Sequence, residues 1–154
     1  MKTKFKYLLL FLFVTLSLHE AFSKENNQLV IHGSYTFETY DGQENIAVYM
    51  SFFNNTDNDI EIESFSSNLS SRVEMHDIKI TNDIAKMIMI KKVIVKKKDQ
   101  LYLQPGGKHL MFFGINKNLN DGDSFDIQVN LKNGVTQNVK TMVLSKKLKS
   151  NYLN

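Results

Sequence analysis

Four side chains in this 154-residue sequence carry the chemistry worth following: His76, Met87, His109 and Met111, spaced His-x10-Met-x21-His-x-Met. Thioether sulfur is a soft, neutral, polarizable donor that binds hard divalent cations poorly, whereas imidazole serves copper, zinc and iron alike. Two imidazoles and two thioethers bring no charge to a metal. Such a set suits a monovalent soft ion, and selects Cu(I) over Zn(II), Ca(II) or Mg(II). Without a thiolate its grip is weaker than that of a permanent structural site, which fits a metal that is to be released. The cysteine count of zero points the same way. It removes thiol nucleophiles, disulfides, zinc ribbons, iron-sulfur clusters and the cysteine-ligated blue copper centre, so any metal rests on His, Met or carboxylate.

These donors must be placed by strands. Residues two apart on a strand share a face about 6.6 Å from each other, so His109 and Met111 project together while Leu110 and Phe112 turn to the opposite face. Runs rich in Val, Ile, Tyr, Phe and Thr with period two predict strands at Leu29 to Phe37, Ile46 to Phe53, Ile60 to Phe65, Arg72 to Ile80, Ala85 to Val95, Gln100 to Leu103, His109 to Ile115, Ser124 to Leu131 and Thr136 to Leu144. Between them lie turn clusters such as Thr81-Asn82-Asp83, Pro105-Gly106-Gly107, Asn120-Asp121-Gly122-Asp123 and Asn133-Gly134. Asn133-Gly134 predicts a type I′ hairpin, which needs positive φ at both central residues. His76 and Met87 flank the Thr81-Asn82-Asp83 turn, and Pro105-Gly106-Gly107 sets the approach of the His109 strand. The spacing is that of an antiparallel sandwich or barrel, a single all-β domain with no long amphipathic helix, internal repeat or linker.

The formal charge of +3 belongs mostly to the amino terminus. Lys2, Lys4 and Lys6 precede an apolar run from Tyr7 to Leu18, and Ala21-Phe22-Ser23 offers the small residues a signal peptidase reads. Residues 1–23 are therefore expected to be a secretory signal peptide, cleaved or retained as an anchor, and residues 24–154 the domain with a short basic tail. Without residues 1–23 the chain keeps 16 basic and 15 acidic side chains, too even a balance for nucleic acid to be a partner.

Other candidates read as structural. Met50, Met89 and Met142 are expected in the core, and Met75, alternating with His76, on the face away from it. His32 has no partner at ligand spacing. The lysines between Lys91 and Lys98 are expected to form a solvated edge that discourages pairing between molecules. Asn54-Asn55-Thr56 and Asn68-Leu69-Ser70 match the glycosylation sequon. No nucleophile elbow, P-loop or paired-carboxylate motif is present, and an enzyme is not expected.

The segments Ala47-Val48-Tyr49-Met50-Ser51-Phe52-Phe53-Asn54-Asn55, Arg72-Val73-Glu74-Met75-His76, Lys86-Met87, Leu103-Gln104-Pro105-Gly106-Gly107-Lys108-His109-Leu110-Met111 and Leu119-Asn120-Asp121-Gly122-Asp123 resemble the PCuAC family of periplasmic copper chaperones. The resemblance covers roughly Ile46 to Leu144. It implies a cupredoxin-like Greek-key β-barrel or sandwich, one Cu(I) held by His76, Met87, His109 and Met111, and a monomer in the periplasm. It further implies delivery toward the Cu(A) centre of cytochrome c oxidase, with subunit II or another periplasmic copper acceptor as partner. Two features depart from the family. The tail from Lys146 to Asn154 has neither His nor Met, so a Cu(II) role through it is unsupported. Met89 shares a strand face with Met87, so either sulfur can serve as the donor and the two can compete or exchange. A copper oxidoreductase and a metal-free β-sandwich binding module remain the alternatives.

Overall fold

The computed structural model describes residues 29–148, and the signal peptide expected at residues 1–23 and the last residues of the tail lie outside them. Ten strands follow in chain order: β1 (Val30–Phe37), β2 (Asn45–Phe53), β3 (Ile60–Ser66), β4 (Ser70–Thr81), β5 (Ile84–Met89), β6 (Val93–Val95), β7 (Gln100–Leu103), β8 (His109–Ile115), β9 (Ser124–Leu131) and β10 (Thr136–Leu144). They hydrogen-bond in the order β5-β4-β8-β2-β1-β10-β9-β3-β6, with β7 also on β2. All pairings are antiparallel except β1 with β10, which are parallel. The architecture is an all-β, cupredoxin-like sandwich.

Period-two alternation builds the core. In β2, Ile46, Val48, Met50 and Phe52 are buried while the residues between them face outward, and in β8 Leu110 and Phe112 have no exposure. They meet Ile62, Phe65, Ile127, Val129, Leu131 and Val143 in one continuous cluster. β2 belongs to both halves: Met50 to Phe53 pair with β7, and Asn45 to Val48 pair with β8. β7 and β8 are thus two pieces of one partner to β2, interrupted by a loop closed by Gln104 N–H on Lys108 O and Gly107 N–H on Gln104 O. Pro105 at the second position and Gly106 at φ +78° at the third make that loop a type II turn.

Three expectations need correction. The run from Ala85 to Val95 is two strands. β5 pairs with β4; the chain then leaves that sheet at Ile90 to Lys92, and β6 joins β3 with Val93 and Val95 buried. The Asn133-Gly134 turn is not type I′, because only Gly134 has positive φ. Gly134 N–H bonds to Leu131 O and Leu131 N–H to Val135 O, the pattern of a three-residue loop with a glycine bulge. Asn82 (φ +50°) and Asp83 (φ +61°) form the type I′ turn instead, between the paired Thr81 and Ile84. Finally, Met50 lies in the core as expected, but Met89 and Met142 are each 43% exposed.

The lysine stretch does lie on an edge, where Lys92 pairs with Glu61, Lys96 with Asp59 and Lys98 with Asp57. Asn54 of the first sequon is buried. Its amide donates to Asn58 O and Val95 O and accepts from Thr56, so it pins a loop and offers no surface for a glycan.

Candidate metal centre

Residues directly opposed in an antiparallel pair share a face, so the register reads out the site row by row. Across β4 and β8, Arg72 faces Phe113, Glu74 faces Met111 and His76 faces His109. β2 extends the middle row with Ala47 opposite Met111, and β5 extends the last row with Met89 opposite His76. Met87 stands one row further out, opposite Ile78. All four expected donors therefore occupy one face. The reverse face is core: Met75 and Leu110 are buried, Met75 as expected from its alternation with His76.

The two histidines are the centre of this face. Their ring centroids are 6.1 Å apart at an interplanar angle of 34°. An ion bound about 2.0 Å from one nitrogen of each ring bridges a separation of this size. Each ring has one nitrogen committed. His109 Nδ1 donates to Gly107 O at 2.9 Å, and since a carbonyl only accepts, the neutral ring presents its lone pair at Nε2. His76 Nε2 donates to Glu74 Oε2 at 2.8 Å, which leaves the lone pair on Nδ1. That Nδ1 is buried without a hydrogen-bond partner, the only side-chain nitrogen or oxygen among the described residues in this condition. A buried acceptor left unpaired is costly unless something outside the chain takes its lone pair.

Glu74 and Arg72 escaped the sequence reading. Glu74 is held by Arg72 at 3.3 Å, and the Arg72 guanidinium lies 4.4 Å above the Phe113 ring centre. The signal was present in Arg72-Val73-Glu74-Met75-His76, where alternation puts Arg72 and Glu74 on the face of His76. Outside the site, His32 packs edge-on against Phe53 of β2.

Exposure falls sharply across the site. His109 is 5% exposed and the His76 side chain 12%, whereas Met87 is 52% and Met89 43% exposed. Among the described residues no three His, Cys, Asp or Glu side chains are arranged to hold a metal. Around the two imidazoles the donor face carries the thioethers of Met111, Met89 and Met87, a donor class that favours Cu(I).

Fold and donor face together define a sandwich of the PCuAC-domain type. The chain belongs to the LpqE-like family, whose model, described as "Putative lipoprotein LpqE-like", matches residues 28–143. Among solved structures, the copper-bound PCuAC domain from PmoF2 superimposes with a TM-score of 0.65 at 15% identity, covering 77% of this chain and 93% of that one. The apo PCuAC domain from PmoF1 gives 0.64 at 17% identity, covering 77% and 94%. The solution structure of Cu(I)-DR1885 from Deinococcus radiodurans gives 0.60 at 22% identity, covering 83% and 85%. These likenesses bear out the fold that the PCuAC resemblance implies. No curated protein matches the chain. The family description names a lipoprotein, yet this sequence has no cysteine on which a thioether-linked lipid is built. Among the described residues no helix is long and apolar enough to cross a membrane.

Proposed function

We propose that this protein is an exported copper carrier that binds one Cu(I) through His76, His109, Met111 and Met87 and passes it on by ligand exchange. The observation that carries the reading is the pair of opposed histidines in which His76 Nδ1 is buried without a protein partner, while His76 Nε2 and His109 Nδ1 are fixed by Glu74 and Gly107. Met111 stands beside them opposite the small Ala47, which leaves room for its thioether. The solved PCuAC domains from PmoF2 and DR1885, described as copper-bound and as Cu(I), support the choice of metal.

The exposed methionine rim supports release to another protein. A soft ion leaves such a site by gaining a donor from the acceptor before losing one of its own. The receiving centre we infer is a periplasmic copper acceptor, with the Cu(A) site of cytochrome c oxidase subunit II the leading case, and the carrier acts as a monomer. Anaerobic Cu(I) titration against a chromophoric chelator tests the site. The double variant His76→Ala plus Met111→Ala is expected to lose at least about 100-fold in affinity, and unchanged affinity overturns the assignment.

A further inference from the structure

The two β5 thioethers are not equivalent, and the register separates them. His76 is the one β4 residue paired on both sides, to His109 of β8 and to Met89 of β5. Beyond this row β8 has not begun, so residues Asp77 to Ile88 form a two-stranded hairpin that overhangs the sandwich. Met89 thus stands one strand spacing, about 4.8 Å, from the His76 backbone in a row braced by three strands. Met87 is two residues further along β5, about 6.6 Å outward, opposite Ile78 in the overhang. Both side chains are exposed on the donor face, and neither is used to fill the core.

We propose that Met89 and Met87 are successive donors to the same Cu(I). Met89 completes the set with His76, His109 and Met111 while the ion rests, and Met87 takes over as the ion moves outward toward an acceptor. The exchange forms one copper–sulfur bond as another breaks; copper stays Cu(I) and no proton or electron moves. A d10 ion imposes little geometric preference, and neutral thioethers exchange without separating charge. This inference rests on the Cu(I)-carrier reading, keeps its His76, His109 and Met111, and divides the fourth position, given there to Met87 alone, between Met89 at rest and Met87 on release.

Cu(I) is diamagnetic, so NMR of the protein labelled with 13C at its methionine methyls tests the proposal directly. At one equivalent of Cu(I) the methyl signals of Met87, Met89 and Met111 are expected to shift, while those of Met50, Met75 and Met142 stay in place. In competition titrations, Met87→Leu and Met89→Leu, conservative in volume, are each expected to lose less than about tenfold in affinity, and the double variant about 100-fold. Transfer to the chelator is expected to slow most in Met87→Leu. A Met89 methyl that does not move, with Met89→Leu binding and releasing copper like the wild type, overturns the proposal and leaves the carrier reading intact. If no methionine methyl shifts at all, the carrier reading itself fails.

Discussion

One nitrogen of His76 is held by a carboxylate and the other meets no protein atom it can bond. The Glu74 carboxylate fixes the tautomer and orients Nδ1 toward the donor face. Arg72, stacked on Phe113, holds Glu74 from the other side. Glu74→Ala is therefore expected to lower Cu(I) affinity about 10–100-fold in a competition titration, with little change in the melting of the apo-protein. Glu74→Gln keeps an acceptor oxygen without the charge and is expected to fall between that variant and wild type. At this scale the sequence was readable where residue type decides. A chain with no cysteine and a His-x-Met pair on one strand leaves few donor sets to consider. It was unreadable where exposure decides, since Met89 and Met142 have the composition of core residues and lie at the surface.

The β4–β5 hairpin is the element on which the outer thioethers ride. Its turn places two non-glycine residues, Asn82 and Asp83, in the left-handed region. Asparagine and aspartate tolerate that region better than other side chains, and glycine better still. Asp83→Gly is expected to stabilise the hairpin by about 0.5–1 kcal/mol, read as a several-fold slowing of amide hydrogen exchange from Ile84 to Met89. Faster exchange there overturns this reading of the turn. The limits of β7, β8, β9 and β10 were legible to the residue because turn-formers stop them. The break between β5 and β6 was not. Ile90-Lys91-Lys92 contains no Gly, Pro or Asn, and what bends the chain is the burial of Val93 and Val95 against β3, a contact far away in sequence. The Asn133-Gly134 turn failed for a related reason: one added residue, Lys132, turns a two-residue loop into three.

For the molecule as a whole, the parallel seam between β1 and β10 joins the first strand to the last. Inside it, Ser34 and Thr141 hydroxyls share a 2.7 Å hydrogen bond and are both buried. Thr141→Val leaves the Ser34 hydroxyl unpaired and is expected to destabilise the fold by about 1–3 kcal/mol in urea unfolding. Combining it with Ser34→Ala is expected to recover most of the loss, because both partners of the bond are then gone; strictly additive losses overturn the pairing. The all-β sandwich was legible from nine short alternating runs and their turns, whereas the parallel closure of β1 on β10 was invisible, since nothing local to either strand names its partner. The donor face has a consequence for how this site tolerates change over generations. Leu110 sits between His109 and Met111, and Met75 beside His76, each wholly or almost wholly shut into the core. A one-residue insertion or deletion inside β4 or β8 swaps imidazole and thioether for Met75 and Leu110, ruining the hydrophobic interior and the copper face in one event. Selection for a stable fold alone therefore guards the parity of the donor spacing, and drift in length is confined to the turns.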